Sequence, residues 1–599
     1  AGEGGFVWIK RRTAGSHTLY DTERGATQAL YTTPDVESAR PGGLTSFNNN
    51  GFTVGNYTDE NAEGQNVVAW TFRKAPGFLD IVTYTGNSTA GHTISHNLGS
   101  VPGMIMIKNT SNSEQWQVWH RSVTGNLELD NSGTLNTSSV RVDSVTSTSF
   151  NLTGAFNTSN ASGQTYVAYI FAHNDARFGT NSDESIIKCG IYTGNASTDG
   201  PEIDLGFEPQ FLLYKNIDQA SNWEMIDTMR GMPNPGNNTS SSYMKLLRPN
   251  TTDSEGTDFS TYPTPTGFKI TNNGASNNGT NNRYVYMAIR RPHKPATVVS
   301  DVFAIDTKTP SSANTPSYIS NFPVDLALRR DNITSTSDSV EFISRLTNSL
   351  IYTNQTNSEN SGGGTFTDYF GYNNGWATTN GNDSNDYLWM FRRAPGFFDI
   401  VAYTGNGTYA RTDLKVNMTP ELVITKRRDS SSAWGVHFAE GGMAYRTYFS
   451  NSAGSGGSYD VPSAGTPGRI GMSGNAIGTW NVNGGKYVSY CFSSLDGISK
   501  VGSYTAAGAG AKAIDCGFTN GAAFVLVKNV SSSGDWYLLD SERGINAYNE
   551  TEPYVTLNTN NSQQTANMIG YKNTGFMVNG SSPLNNGNDR YIFLAIANP

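Results

Sequence analysis

One phrase occurs twice in this chain, at positions far apart. Residues 72–87 read FRKAPGFLDIVTYTGN and residues 391–406 read FRRAPGFFDIVAYTGN, and they differ at only three positions. A run of this length does not agree so closely by chance, so the chain contains an internal duplication. A repeat of this kind means that one structural unit is used more than once. The repeat therefore restricts the possible folds even before composition is considered.

The second half of the phrase, an apolar run that ends in a Gly turn, recurs about every hundred residues. Copies start at residues 78, 186, 397 and 499, and a degenerate copy starts at 301. Three further landmarks recur in each repeat, in the same order. The first is a short apolar run ending in a base: GFVWIKRR (5–12), GMIMIKNT (103–110), QFLLYKNI (210–217), DLALRRDN (325–332), ELVITKRR (421–428) and AFVLVKNV (523–530).

The other two landmarks are an alternating run, usually with an aromatic residue, and a closing run. The alternating runs include HTLYDTERG (17–25), WQVWHR (116–121), NWEMIDTMRG (222–231), SVEFISRL (339–346), AWGVHFAEGG (433–442) and DWYLLDSERG (535–544). The closing runs are VVAWTFRK (67–74), YVAYIFAH (166–173), YVYMAIRR (284–291), YLWMFRRA (387–394), YVSYCFSS (487–494) and YIFLAIAN (591–598). Their period-two alternation predicts β-strands. Gly/Asn/Ser clusters between them predict turns, so each repeat should form an antiparallel β-sandwich or jelly-roll.

The six repeats form two sets of three. The fourth repeat is phased like the first, and IDLGF (203–207) in the third matches IDCGF (514–518) in the sixth. We therefore predict an all-β chain in which a three-domain unit, A-B-C, is used twice. The predicted domains are A (1–77), B (78–182), C (183–298), A′ (299–396), B′ (397–499) and C′ (500–599).

Composition excludes several classes of protein. The net charge of −9 argues against a nucleic-acid partner, which needs a basic surface to neutralise phosphates. No run of about 18 apolar residues is present, so we expect no membrane insertion. The three cysteines, Cys189, Cys491 and Cys516, form no paired motif, and we interpret them as buried free thiols.

Several ordered phrases resemble the tandem β-domains of tail-fibre and appendage proteins of tailed bacteriophages, especially marine and cyanobacterial ones. These phrases include GGFVWIKRR, LYDTERG and SFNNNGFTVG within residues 4–55, WTFRKAPGFLDIVTYTGN (70–87), HNLGSVPGMIMIKN (96–109) and DWYLLDSERG (535–544). The resemblance implies a virion or extracellular structural protein, often tied to host attachment, and implies no catalytic residues. The chain has no coiled-coil heptads, no β-helix repeat and no recognisable virion anchor, which long fibres often carry.

Two functions are therefore expected. The first is a non-catalytic structural and adhesive protein of a phage appendage, which associates with itself and with other virion proteins and binds host surface polysaccharide. The alternative is a cell-surface or extracellular filament protein assembled from the same domains. Neither is an enzyme, neither requires a cofactor, and a polysaccharide depolymerase is a third, less favoured class.

Recurring acidic residues are the first candidates for chemistry. A glycosidase needs two carboxylates in one cleft. The acids that recur at equivalent positions are Asp80, Asp399, Asp204, Asp515, Glu23 and Glu542. An active site is normally built once, so recurrence favours a structural role, such as accepting turn N–H groups. DTERG (21–25) and DSERG (540–544) are read as local acid–arginine braces rather than ligand sites.

Metal and phosphate sites are not favoured. The seven histidines are scattered, and His92 and His96 lie in a strand context rather than on a helix. SGGGT (361–365) and AGAGA (507–511) lack the lysine of a phosphate loop and are read as turns. The acidic clusters DSNDY (383–387) and TTDSEGTD (251–258) offer oxygen ligands for calcium but match no EF-hand spacing.

Four tryptophans at one repeat position have two interpretations. If exposed, they would serve as sugar-stacking platforms: Trp116, Trp223, Trp434 and Trp536. Their position on a repeated strand beside the lysine of the repeat favours packing in the core or between domains instead. If host polysaccharide is bound, we expect it on the loops that differ between repeats, because loops usually carry function.

The duplicated phrase itself is read as a structural linker. Ala75-Pro76-Gly77 and Ala394-Pro395-Gly396 stand between successive domains, and Pro and Gly give them a defined turn. A linker this short should hold the A–B angle the same in both halves. About 24 residues precede the apolar strand in A′ but only four in A, so we expect A to be N-terminally incomplete, with a sheet edge open to strand addition.

Overall fold

The computed structural model describes most of the chain. The described residues are 4–179, 181–236, 244–257, 261–307, 316–330, 333–360, 369–378, 386–408, 412–416, 418–440, 443–449, 452, 463–466, 468–472, 479–545 and 550–599. The chain divides into two compact units. The first comprises Ala1–Thr228 and Ser241–Arg291, and the second comprises Met229–Ser240 and Pro292–Pro599.

The first unit holds the strands of domains A, B and C. Domain A has strands β1 (Gly5–Arg11), β2 (His17–Asp21), β3 (Gln28–Tyr31), β4 (Ser38–Ala39), β5 (Leu44–Asn48), β6 (Gly51–Val54) and β7 (Val67–Arg73), with helix α1 (Thr58–Asn61). Domain B has β8 (Leu79–Thr85), β9 (His92–Ser95), β10 (Pro102–Asn109), β11 (Gln117–His120), β12 (Leu127–Glu128), β13 (Val142–Asp143), β14 (Ser149–Leu152) and β15 (Thr165–Ala172). Domain C has β16 (Ile187–Thr193), β17 (Glu202–Asp204), β18 (Pro209–Asn216), β19 (Trp223–Asp227), β20 (Lys245–Leu247), β21 (Gly256–Thr257), β22 (Thr261–Thr264), β23 (Gly267–Ile270) and β24 (Arg283–Arg290).

The second unit repeats this order as A′, B′ and C′. Domain A′ has a 3-10 turn (Val299–Asp301), β25 (Phe303–Thr307), β26 (Tyr318–Ile319), β27 (Leu326–Arg330), β28 (Val340–Ser344), β29 (Ser349–Tyr352), β30 (Gly375–Trp376) and β31 (Tyr387–Phe391). Domain B′ has β32 (Phe398–Thr404), β33 (Thr412–Lys415), β34 (Leu422–Arg427), β35 (Gly435–Glu440), β36 (Met443–Tyr448), β37 (Ser463–Thr466), β38 (Arg469–Met472) and β39 (Lys486–Phe492). Domain C′ has β40 (Ser499–Thr505), β41 (Lys512–Asp515), β42 (Ala522–Asn529), β43 (Trp536–Asp540), β44 (Glu552–Thr556), β45 (Gln564–Ala566), β46 (Ile569–Lys572), β47 (Gly575–Val578) and β48 (Arg590–Ala597).

Each domain pairs a large antiparallel sheet with a small one, as the repeat predicted. In B the large sheet has the order β12-β11-β10-β15-β8 and the small sheet the order β13-β14-β9. The same order recurs in C′, where β43-β42-β48-β40 lie side by side in the large sheet and β46-β47-β41 form the small one. The closing strand therefore lies inside the large sheet, between the apolar strand and the first strand of its domain. The chain is all-β and duplicated.

Domain A differs from the other five domains at one side. Its large sheet, β4-β3-β2-β1-β7, ends at the closing strand β7, and its small sheet consists of β5 and β6. In A′, by contrast, β25 pairs with the closing strand β31 and β26 pairs with β30. Within the described part of the chain, A thus has no counterpart of β25 or β26.

In A′ the central strands of the large sheet are buried on both faces. In A′, Leu388 and Met390 of the closing strand pack with the small sheet of their own domain. Trp389 and Phe391, the alternate residues, pack in a second cluster that runs from Val299 to Ala597 through all three domains of the unit. The period-two pattern therefore separates two cores, one inside each sandwich and one shared among three sandwiches. The first unit has a shared core of the same kind.

Candidate functional site

The A–B linker forms a tight, hydrogen-bonded turn. The N–H of Ala75 donates to the carbonyl of Leu79 at 3.0 Å, and the N–H of Leu79 donates back to Ala75 at 3.1 Å. Gly77 lies between them with φ of +75°, a conformation that residues with a Cβ rarely adopt. Pro76 is exposed at the tip of the turn. The linker is a closed corner rather than a flexible tether.

The A′–B′ linker has the same geometry. Ala394 and Phe398 exchange backbone hydrogen bonds of 3.0 and 3.2 Å, and Gly396 has φ of +76°. Leu495 and Ser499 form a third corner of this kind between B′ and C′. The shared conformation explains why the phrase is repeated, because both copies build the same corner.

A base and an acid brace each A–B corner, and the sequence analysis did not pair them. The Nζ of Lys74 lies 3.2 Å from Asp80, and the Nε of Arg393 lies 2.6 Å from Asp399. Arg393 and Asp399 are both almost fully buried, and Arg393 also donates to the carbonyl of Ile400 at 2.8 Å. The available signal was the identical six-residue spacing between base and acid in both phrases.

The acids of this brace also bind turn N–H groups, as expected for a structural role. Asp80 accepts the N–H groups of Ile81 and Asn97 at 2.9 and 2.6 Å. Burial lowers the pKa of Lys74, but its contacts with Glu23 and Asp80 raise it more, so its pKa lies above the usual value. Lys74 therefore stays protonated beside these two acids.

The Tyr of the Y-T-G-N part of the phrase is a second repeated brace. Tyr84 of β8 stacks on Tyr166 of β15 with ring centroids 5.1 Å apart, and its hydroxyl donates to the carbonyl of Ser159 at 2.8 Å. Burial raises the pKa of Tyr84 well above its usual value, so the hydroxyl stays protonated. The same stacked pair occurs as Tyr192–Tyr284, Tyr403–Tyr487 and Tyr504–Tyr591.

A buried asparagine holds the turn that follows, and sequence reasoning missed it. Asn160 accepts the N–H of Asn87 at 3.0 Å and donates to the carbonyls of Thr89 and Gly154 at 3.0 and 3.1 Å. Its equivalents Asn278, Asn481 and Asn585 accept the N–H groups of Asn195, Asn406 and Ala507. Each lies six residues before the tyrosine of a closing strand, a constant spacing that was visible in the sequence.

The DTERG and DSERG phrases form the expected acid–arginine braces, with an added contact to a neighbouring domain. The Nε of Arg24 donates to Oδ2 of Asp21 at 2.6 Å, and the same oxygen accepts the hydroxyl of Tyr169 in domain B at 2.7 Å. In C′, the Nε of Arg543 donates to Asp540 at 2.7 Å. Both pairs are buried, so these residues join domains and are not presented to solvent.

The bases that end the apolar strands are buried in every domain and donate to backbone carbonyls. They are Lys10, Lys108, Lys215, Arg330, Lys426 and Lys528. Burial lowers the pKa of all five lysines to about 8. Desolvation disfavours the ammonium form, and each lysine offsets part of this cost by donating hydrogen bonds to two backbone carbonyls.

In the first unit two of these lysines link their domain to the one before it. Lys108 of B donates to the carbonyl of Pro34 in A at 2.9 Å. Lys215 of C donates to the carbonyl of Ser132 in B at 3.1 Å. C is linked in turn to A, since Arg12 lies 2.6 Å from Glu255. The three domains therefore contact one another in a closed ring.

The second unit closes in the same way. Lys426 of B′ donates to the carbonyl of Thr356 in A′ at 3.3 Å, and Lys528 of C′ donates to that of Ser452 in B′ at 3.1 Å. Arg330 of A′ completes the ring with a 2.9 Å bond to the carbonyl of Asn561 in C′. One base per domain thus makes an equivalent contact around the unit.

The four repeated tryptophans lie in these domain contacts. All four are fully buried, so they offer no face on which a sugar ring can stack. Three donate their indole N–H to a carbonyl of the preceding domain: Trp116 to Tyr31, Trp223 to Glu128 and Trp434 to Tyr352. Trp536 packs against Phe449 of B′ with ring centroids 4.9 Å apart.

The remaining candidates form no common site. His92 contacts Asn160, whereas His96 accepts the N–H of Leu98. Asp204 and Asp515 each accept a glycine N–H two residues on, as turn residues do. The described residues contain no group of three His, Cys, Asp or Glu side chains that could hold a metal. Among the parts of the chain that the structure covers, no helix is long and apolar enough to cross a membrane.

Some of the other sequence motifs lie within the described residues, and some lie outside them. Gly508 and Gly510 of AGAGA have φ of +72° and +88°, which is turn geometry. SGGGT and residues 383–385 of DSNDY lie outside the described residues, as does Asp258 at the end of TTDSEGTD. Cys189, Cys491 and Cys516 are buried and free, and burial raises the pKa of each thiol.

Loops at one end of C′ form a polar groove. It has a volume of about 540 Å³ and is lined by the loops around Gly508, 529–534 and 580–587. Tyr537 and Tyr591 form part of its wall among Asn, Ser and Gly residues. Tyrosine presents an apolar ring and a polar hydroxyl, and the asparagines and serines present both donors and acceptors. Such a lining suits a hydroxyl-rich ligand.

The fold and its braces define a class: a duplicated all-β protein in which three antiparallel sandwiches share one core in each unit. The chain belongs to the family described as "Domain of unknown function (DUF7483)", which matches residues 3–292 and 329–599. Each match spans most of one three-domain set, so the family corresponds to the triplet rather than to a single sandwich. A search of curated proteins found no match to this sequence.

Proposed function

We propose that this chain is a non-catalytic structural and adhesive protein of a bacteriophage virion appendage, such as a tail fibre. The observation that carries the proposal is the ring of three sandwiches around a shared core. Domains joined by a large hydrophobic interface do not move independently. A rigid unit of this kind suits an appendage that projects from a particle and transmits contact with a host.

The recurring ionisable residues support the non-catalytic part of the proposal. Arg24–Asp21, Arg393–Asp399 and Arg543–Asp540 are buried ion pairs that hold corners or join domains. Groups used in this way contribute to the architecture, and breaking such a pair is costly. The resemblance of the sequence to phage appendage domains supports the virion or extracellular location.

Host surface polysaccharide is the ligand that this proposal assigns to the C′ groove. Its lining of Asn, Ser, Gly and Tyr offers hydrogen bonds to sugar hydroxyls, and a tyrosine ring offers a surface for the apolar face of a sugar. The groove is formed by loops, where binding residues are most often found. The buried Asn585 brace keeps one wall of the groove in place.

A second candidate is a cell-surface or extracellular filament protein built from the same domains. The observation that favours it is the shared core of each three-domain unit, because a rigid repeated body is a suitable subunit for an assembly. Self-association of such units builds filaments when the contacts do not close on themselves.

Immunogold electron microscopy of native particles tests the proposal. Antibodies raised against the whole chain should label the tail or its fibres. Gold on free filaments without particles would support the second candidate, and gold confined to the capsid shell would contradict an appendage.

Glycan binding has its own test. The wild-type chain should retain host surface polysaccharide on a glycan array or in a pull-down, and Tyr537→Ala should bind at least ~10-fold more weakly. Tyr571→Ala, which changes an exposed tyrosine of C′ outside the groove, is the matched control and should bind normally. Release of oligosaccharide into solution would contradict the non-catalytic assignment.

A further inference from the structure

One residue position at the end of the second strand of each large sheet contacts the next domain around the first unit. By register with the apolar strand, the residues at this position are Asp21 in A, His120 in B and Asp227 in C. Asp21 and Asp227 each use a carboxylate to accept a hydrogen bond from a closing strand of the next domain. His120 instead lies with Nε2 3.2 Å from the carbonyl oxygen of Tyr286 in C. The contact between B and C is therefore made by an imidazole and not by a carboxylate.

The two hydrogen bonds of His120 require a neutral ring. Its Nδ1 accepts the backbone N–H of Ser122 at 3.3 Å, while its Nε2 faces the carbonyl oxygen of Tyr286. A carbonyl only accepts, so Nε2 carries the proton and Nδ1 carries the lone pair. A proton on Nδ1 would point at the N–H of Ser122, and that bond would be lost. His120 is 1% exposed, so water does not take the place of the lost partner.

A second histidine, His173, joins the same two domains where the chain passes from B to C. Strand β16 lies at the edge of the large sheet of C, and the N–H of Cys189 in this strand donates to Nδ1 of His173 at 3.2 Å. The side chain of Cys189 packs at the same place, with Sγ 3.7 Å from the carbonyl oxygen of Ala172 in B. A protonated Nδ1 cannot accept a hydrogen bond, so His173 also holds C to B only while its ring is neutral.

The charged side chains near the two rings are positive. Arg121 lies near both His120 and His173, and Lys188 lies near His173. Within the described residues, no carboxylate pairs with either ring. Burial above all, together with Arg121, lowers the pKa of both histidines from 6.5 to about 4. A proton on either ring meets positive charge and no acid, and protons on both rings make the two histidines repel each other.

The equivalent junction in the second unit uses residues that do not titrate. By register, the counterpart of His120 is Phe438 and the counterpart of His173 is Ser494. The hydroxyl of Ser494 accepts the N–H of Val501 at 3.1 Å, which is the bond that His173 makes at the B–C junction. A serine hydroxyl accepts a hydrogen bond at acidic and at neutral pH alike. The two units therefore share the geometry of this junction but differ in its response to protons.

We propose that the B–C junction is an acid-sensitive contact: acidification protonates His120 and His173, and domain C separates from domain B in the first unit while the B′–C′ junction keeps its contacts. Separation uncovers Cys189, which is 1% exposed in the closed form and belongs to the shared core. The ring of three domains then opens at one defined place. The inference does not depend on the proposed appendage function.

The linkage between proton binding and opening gives the size of the effect. The closed form keeps its full stability above 6.5, the ordinary pKa of histidine, and loses it as the pH falls toward 4, because the open form binds more protons. Between about pH 7 and about pH 4.5, each histidine should favour opening by roughly 50-fold. Two histidines that act independently should favour it by on the order of 1000-fold.

Hydrogen exchange on the full chain compares two equivalent amides. When the pH is lowered from about 7 to about 4.5, the protection factor of the Cys189 amide should fall at least ~100-fold, whereas that of the Val501 amide should change less than ~10-fold. Protection factors correct for the pH dependence of exchange in an unstructured chain. Unchanged protection at Cys189, or an equal loss at Val501, would overturn the proposal.

Thiol labelling measures the opening independently. A pyridyl disulfide that reacts with thiols at acidic pH is added to the full chain, and the labelled peptides are identified by mass spectrometry. Relative to free cysteine at the same pH, Cys189 should react at least ~100-fold faster at about pH 4.5 than at about pH 7. Cys516 lies in C′, which contains no histidine, and its relative rate should change less than ~10-fold. A relative rate at Cys189 that does not rise in acid would contradict the proposal.

Two substitutions together should remove the response to acid. His173→Ser copies the residue of the B′–C′ junction and keeps an acceptor for Cys189, and His120→Gln keeps an N–H for the carbonyl of Tyr286. In the double variant, the relative labelling rate of Cys189 should rise less than ~5-fold at the lower pH. His92→Gln changes a histidine of B outside the junction and should respond as the wild type does. Circular dichroism at about pH 7 checks folding, and a wild-type response in the double variant would overturn the assignment to these histidines.

Discussion

The indole Nε1 of Trp389 lies 3.0 Å from Oδ2 of Asp540, and this buried bond joins the first domain of the second unit to its third. Trp70 makes the same bond to Asp227 in the first unit, also at 3.0 Å. Trp389 and Trp70 occupy equivalent positions on closing strands. The repetition of this bond shows that the arrangement of three domains, and not only the single sandwich, was duplicated.

Removal of Asp540 should strongly destabilise the second unit. Asp540→Ala leaves Arg543 buried without its partner and also removes the acceptor for Trp389. We expect a loss of about 3–5 kcal/mol in the free energy of unfolding, measured by urea denaturation. Trp389→Phe keeps Arg543 paired, so its loss of unfolding free energy should be smaller than that of Asp540→Ala by about 1–3 kcal/mol. Glu542→Gln changes an exposed neighbour and should stay within ~0.5 kcal/mol of the wild type.

The two corner braces provide a matched pair of variants. Arg393→Ala breaks an ion pair in which both side chains are 4% exposed, so we expect a cost of about 3–5 kcal/mol. Lys74→Ala breaks the equivalent pair, but Lys74 is 19% exposed and water can replace it, so the cost should be about 1 kcal/mol. Denaturant unfolding of both variants measures the difference. Equal costs would contradict the assignment of burial as the cause.

The stability of the protein should rise with pH just above neutrality. Burial lowers the pKa of Lys108, Lys215 and Lys528 from 10.5 to about 8 in the folded state. Between pH 8 and about 10 these lysines therefore bind more protons in the unfolded chain than in the folded chain, so their contribution to stability increases with pH. The buried thiols and tyrosines, whose pKa burial raises, stay protonated in the fold and oppose this trend toward its upper end.

Thermal unfolding at about pH 7.5 and pH 9.5 measures this dependence at constant ionic strength. The midpoint should be higher at the upper pH. Lys528→Met removes one of the titrating groups, so the rise in the thermal midpoint of the second unit with pH should be smaller in this variant. A thermal midpoint that is lower at the upper pH than at the lower pH would show that these lysines keep their ordinary pKa in the fold.

The asparagine brace should matter more than the tyrosine hydroxyl beside it. Asn160→Ala removes an acceptor for Asn87 and two donors, all inside the domain, and we expect a cost of about 2–4 kcal/mol. Tyr84→Phe keeps the stacked rings and removes only the bond to Ser159, at a cost of about 1 kcal/mol. Urea unfolding compares the two. A larger effect for Tyr84→Phe would mean that the turn is held by the tyrosine.

The A–B angle should be the same in both halves. The corners share their backbone hydrogen bonds and the positive φ of Gly77 and Gly396. In a crystal structure, the A–B and A′–B′ pairs should superpose as whole pairs about as well as their single domains do. Superposition that succeeds only domain by domain would show that the corner does not set the angle. Gly396→Ala, which forces a Cβ into the left-handed region, should cost about 1–2 kcal/mol.

Much of the fold was predictable because it depends on short-range patterns. Alternation in YVYMAI and its equivalents located the closing strands, and the repeated phrase indicated the duplication. The braces of Asp21 with Arg24 and of Asp540 with Arg543 were also predictable, since the partners are three residues apart. The corner and asparagine braces were missed, although their constant six-residue spacing carried the signal.

The shared core and the ring were not predictable from the pattern. Alternation shows that a strand has two different faces, but it does not show whether the second face meets water or another domain. In A′ that face, with Trp389 and Phe391, meets two other domains. The same limit applied to the tryptophans, whose burial depends on the neighbouring sandwich and not on their own strand.

The sequence by itself determined the all-β class, the repeat and the strands, because backbone alternation and turn chemistry act over a few residues. Tertiary structure alone decided that Trp389 meets Asp540 and that Lys528 reaches the preceding domain. Trp389 and Asp540 are 151 residues apart in the chain. Their contact depends on how three sandwiches pack around one core, and that packing is set by the sum of many weak apolar contacts rather than by any local motif.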